Sequence, residues 1–82
     1  MPRYTVAVPD IYWNRQAKSS DYGYIWSTMA QTRTEAFNKC LPSLRVAFKT
    51  MRPDVKVVSV LVGLSRERLT PIRVRRQDAE PL

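Results

Sequence analysis

The sequence predicts an α+β fold in the order β-β-α-β-β, a mostly antiparallel four-stranded sheet packed on one Pro-kinked helix. Three observations carry that prediction. Apolar and polar residues alternate with period two over residues 4–8, 22–29 and 72–75. A threonine-led cap at Thr32 precedes large apolar residues at helical spacing. Residues 55–64 form the most β-prone stretch of the chain.

In the first strand Tyr4, Val6 and Val8 alternate with Thr5 and Ala7, and Pro9 ends it or marks an edge. Residues 10–21 turn polar after Trp13 and read as an exposed loop. Tyr22, Tyr24, Trp26 and Thr28 then alternate with Gly23, Ile25, Ser27 and Met29, a second strand that makes a long hairpin with the first.

Thr32-Arg33-Thr34-Glu35 matches a capping box, in which the threonine hydroxyl accepts from the Glu35 amide and the glutamate reaches back to the cap amide. Behind it Phe37, Leu41, Leu44, Phe48 and Met51 form one stripe, widened by Ala36, Cys40 and Ala47, to about Arg52. Pro42 lacks an amide donor and crowds the preceding turn, at about 3 kcal/mol in a helix interior, so a kink or two short helices are expected.

Pro53 stops the helix. In residues 55–64 both faces are apolar, with Val58, Val60 and Val62 expected against Phe37, Leu41, Leu44 and Phe48, and Val55, Val57 and Leu61 looking out on the other side. One helix covers one face. The second therefore calls for the folded-back aromatic loop or another chain, and a symmetric homodimer is the favoured expectation. Residues 65–68 form a charged turn before the last strand. The domain spans residues 1–76, and 77–82 read as a disordered tail.

The net charge of +7 arises from ten arginines and four lysines against seven acids. Such a balance favours an anionic partner, and the guanidinium fork matches phosphate oxygens. The chain contains no histidine, and its acids fall in predicted loops, caps or tail, so neither a catalytic residue nor an enzyme is expected. Cys40 is the sole cysteine and suits the core. No metal site and no cofactor are expected. Two glycines cannot build a phosphate-binding loop. No apolar run reaches the roughly 20 residues of a membrane span, and the N-terminus lacks a leader pattern, so a cytoplasmic protein is expected.

Three groups of residues point to nucleic acid. Arg45, Lys49 and Arg52 recur at i, i+4 and i+7 and could line up along phosphates, although a solvated helix flank has the same pattern. Arg66, Arg68, Arg73, Arg75 and Arg76 make a second basic cluster, whose field Glu67 and Asp78 are not expected to neutralise; edge protection is its competing explanation. Tyr12 and Trp13, with Arg15 and Lys18 nearby, could stack unpaired bases, or pack as core like Tyr24 and Trp26. The sequence thus predicts a non-enzymatic module binding DNA or RNA. The alternative is a protein-binding adaptor or inhibitor, of the format of a small phage accessory protein, docking on a protein or nucleoprotein complex.

Overall fold

A computed structural model describes residues 1–79. Four strands, β1 (Arg3–Pro9), β2 (Tyr22–Met29), β3 (Val57–Leu64) and β4 (Thr70–Arg75), form one antiparallel sheet in the order β2-β1-β3-β4. The main helix α1 (Arg33–Thr50) joins β2 to β3 across one sheet face, and a four-residue helix α2 (Arg76–Ala79) follows β4.

Strand alternation fixes which residues meet α1. Val6 pairs with Trp26 and Val62, Val8 with Tyr24, Val58 with Val74, and Val60 with Ile72, all on the helix side. The opposite face carries Thr5, Ala7, Ile25, Ser27, Val57, Leu61, Arg73 and Arg75. No described element lies across it.

Thr32 caps α1 as predicted, its hydroxyl accepting from the Glu35 amide at 3.1 Å. The Glu35 carboxylate accepts from the amide of Gln31, one residue before the cap, at 3.2 Å. Ala36, Cys40, Leu44, Ala47, Phe48 and Met51 are buried, while Phe37 and Leu41 are only half-buried at the rim. The buried line thus mixes Ala36, Cys40 and Ala47 with Leu44 and Phe48, the largest fully buried side chains, and leaves Phe37 and Leu41 on one flank. Burial also pushes the Cys40 thiol up from its ordinary pKa.

Other expectations need correction. Of the two outcomes expected at Pro42, two short helices are ruled out, since one helix runs through it; Pro42 and Asn38 are both exposed, so the carbonyl that loses its donor lies on the side open to water. Strand β3 begins at Val57. Val55 precedes it in a turn, its amide donating to the Arg52 carbonyl at 3.1 Å, and is buried in the core instead of facing outward. Tyr12 and Trp13 pack on the helix-side core, so the aromatic loop does not cover the second face. Residues 77–79, expected in a tail, belong to α2, whose Ala79 is buried against α1; the rest of that predicted tail lies outside the described residues.

Candidate nucleic-acid interface

Strand β4 is an edge strand whose alternation divides its residues between two tasks. Ile72 and Val74 turn to the core, and Arg73 and Arg75 turn to the uncovered face beside Ser59 and Val57 of β3. The β3–β4 turn adds Arg66 and Arg68, both exposed. Arg66 adopts a left-handed backbone with φ of 70°, a conformation that costs a residue with a Cβ about 1 kcal/mol. Gly63 packs closely under this turn. A Cβ there would lie 3.1 Å from the Arg68 carbonyl oxygen and 3.2 Å from Leu69 Cδ2.

At the other end of this edge, Lys56, Val57, Arg75, Arg76 and Gln77 line an open groove of about 270 Å³. The Arg76 amide donates to the Lys56 carbonyl at 2.8 Å and ties the groove together. Arg66, Arg68, Arg73 and Lys56 make no side-chain hydrogen bond or ion pair to any described residue. Arg75 is different. Its Nε meets Asp78 Oδ2 at 3.0 Å, so Asp78 does neutralise one member of the cluster. That pair is exposed and contributes at most about 1 kcal/mol, weak enough to be exchanged for another anion.

Arg76 belongs to the interior. Its guanidinium donates to the carbonyls of Phe48 at 2.6 Å, Arg52 at 2.8 Å, Val55 at 3.0 Å and Met51 at 3.2 Å. It thereby closes the C-terminal end of α1, where carbonyls lack amide partners and the helix dipole favours a cation. Arg33, in the first turn of α1, instead ties the helix to the sheet, donating to the Val62, Thr70 and Pro71 carbonyls.

The predicted helix ridge does not form, because α1 ends at Thr50 and leaves Arg52 beyond it. Arg45 donates to the Ala79 carbonyl at 3.2 Å, and Arg52 faces Asp54 at 3.7 Å, which leaves Lys49 alone exposed without a partner among the described residues. Asp54 also holds Arg15 at 2.8 Å. Lys18 sits exposed in the loop after Trp13, its backbone amide donating to Asp21 Oδ2 at 3.0 Å.

The aromatic residues are likewise engaged. The Tyr12 hydroxyl accepts from the Ser59 amide at 2.9 Å, beyond the last β1–β3 pair. Trp13 donates through Nε1 to the Thr50 hydroxyl at 2.8 Å and packs on Tyr24 at 4.9 Å between ring centroids. Tyr24 stacks on Trp26 at 5.7 Å. All four rings are part-buried against the core.

No protein-family model matches the chain, and no curated protein or solved structure shows significant similarity to it. Among the described residues there is no cluster of side chains suited to a metal ion, and no helix is long and apolar enough to cross a membrane. Two exposed cations were not singled out by sequence. Lys56 joins the groove because β3 and β4 pair in this register, and Arg3 reaches the face at the start of β1, donating to Ser27 Oγ at 3.0 Å. Charge alone was their only signal in the sequence; strand register placed them.

Proposed function

We propose that this chain is a non-enzymatic, cytoplasmic nucleic-acid-binding module whose phosphate contacts come from the β4 edge. The observation that carries this reading is the row Arg66, Arg68, Arg73 and Lys56: exposed cations along the β3–β4 hairpin, in its turn, on β4 and just before β3, with no partner among the described residues. Arg75 and the groove beside it extend the row. Each contact between such a cation and a phosphate releases condensed counterions.

Binding of fluorescent single- and double-stranded oligonucleotides tests the proposal. With about four phosphates neutralised, affinity falls on the order of a hundredfold between about 50 and 200 mM salt. Changing Arg73 and Arg75 together to glutamine weakens binding and flattens that dependence, with thermal stability unchanged. Undiminished binding by the double variant removes β4 as the contact surface.

A second reading, a protein-binding adaptor, draws on the uncovered face, where Ile25, Leu61 and Pro71 flank the fully buried Ala7 in one cross-strand apolar row. Absence of salt-sensitive oligonucleotide binding would favour it.

A further inference from the structure

The sheet has a second edge, β2, and its chemistry is opposite to that of β4. Its residues Tyr22–Met29 include no charge and no proline, although the chain as a whole carries +7. Ile25 is 59% exposed and Met29 39%. Free strand edges are ordinarily blunted by charges, prolines, bulges or cover.

The pairing shows which backbone groups are unspent. Ala30 donates its amide to the Pro2 carbonyl at 3.1 Å, so by antiparallel alternation Thr28, Trp26 and Tyr24 turn their amides and carbonyls toward β1. Ile25 and Ser27 turn theirs outward, where no described residue meets them. Each end of this run is closed. On one side the register shifts between Val8 and Pro9, leaving Gly23 as the extra residue of a bulge; on the other, Lys39 Nζ donates to the Met29 carbonyl at 2.8 Å.

We infer that the outward amides and carbonyls of Ile25 and Ser27 are a self-pairing site, at which a second copy of this chain adds its own β2 antiparallel. A two-fold axis at Trp26 places Ile25 opposite Ser27 of the other copy, and the reverse. The outward amides and carbonyls of Ile25 and Ser27 are then satisfied, without disturbing either closure. The two Trp26 residues become direct neighbours at a non-hydrogen-bonded position, where side chains of paired strands lie closest. Strand β2 brings no charge of its own to this contact. The cations that touch it are Arg3 at Ser27 Oγ and Lys39 at the Met29 carbonyl, so two molecules of charge +7 meet there against a like-charge repulsion that salt screens. The product is a continuous eight-stranded sheet with both helices on one side and the two cationic β4 edges at its far ends.

Light scattering and sedimentation of the full chain, in about 0.15 M salt and without nucleic acid, test this independently of the proposed ligand. The expected mass is twice 9.5 kDa, with association strengthened by added salt, the opposite of oligonucleotide binding. Ser27→Pro removes one outward amide that the monomer does not use. It is expected to give a 9.5 kDa species with unchanged far-ultraviolet circular dichroism, while Ser27→Ala remains dimeric. Ile25→Lys, at an exposed side chain, provides a second disruption should the proline perturb the strand. A wild-type monomer up to hundreds of micromolar, or a dimer that survives both Ser27→Pro and Ile25→Lys with the fold retained, overturns the inference.

Discussion

The two edges of this sheet solve the same physical problem differently. On β4, Pro71 withholds an amide, Arg33 occupies the Thr70 and Pro71 carbonyls, and Arg73 and Arg75 charge the outer face. On β2 the devices are confined to the ends, a bulge at Gly23 and the Lys39 ammonium at Met29. One edge is blunted by charge and proline along its length; the other leaves a short segment without charge or proline. Overall charge is therefore a poor guide to how a small sheet meets its partners, because it averages over edges of opposite character.

The comparison depends on separating arginines that build the fold from arginines that face solvent. The largest effect is expected from Arg76→Gln, which strips the C-terminal carbonyls of α1 of a charged donor and should destabilise by about 3 kcal/mol in chemical denaturation. If Arg76→Gln melts like wild type and instead loses oligonucleotide binding, the division made here is wrong. A smaller change follows from making β4 resemble β2. Pro71→Val with Arg73→Thr restores an amide and removes a charge, so concentration-dependent aggregation should rise while oligonucleotide affinity falls several-fold, as expected for the loss of one phosphate contact.

The smallest effect concerns Lys39, which closes the β2 end and also pairs with Glu35 at 3.2 Å. The hydrogen bond from Lys39, with a second from the Gln31 amide, holds the Glu35 carboxyl below its ordinary pKa. A carboxylate whose folded pKa is lowered contributes stability above its unfolded pKa, and that stability is lost as pH falls through the folded value. Melting temperatures near pH 7 and pH 3 should thus differ slightly less for Glu35→Gln than for wild type. An equal difference would show that Glu35 is not part of the closure.

Elements with strong local signals were legible in the sequence. The Thr32 cap, the helix stripe and the alternation of β1, β2 and β4 each arise from residues within a few positions of one another, and the element order follows from them. What local pattern could not supply was the third dimension. Val55 and Val57 look equivalent in a β-prone run, yet a turn at residues 52–55 buries the first and leaves the second 39% exposed. Arg75 and Arg76 are adjacent and chemically identical, and only the end of β4 sends one to solvent and the other beneath α1. Tyr12 looked available for stacking because nothing local announces that its hydroxyl completes the hydrogen bonding of Ser59, forty-seven residues away.

Because Arg76 closes a helix that ends at Thr50, the order of synthesis and the order of assembly run against each other. Chains emerge from the ribosome N-terminus first, so the last turn of α1 is made well before the guanidinium that secures it. The β1–β2 hairpin is complete earlier still, while the other side of β1 waits for β3; Thr5 and Ser65, joined at 2.8 Å, are sixty positions apart. Until the C-terminal third arrives, the nascent hairpin presents two open edges, and pairing over such separations is slow. Residue 76 thus acts as a late latch, and a chain stalled before it would leave α1 frayed over an unfinished sheet.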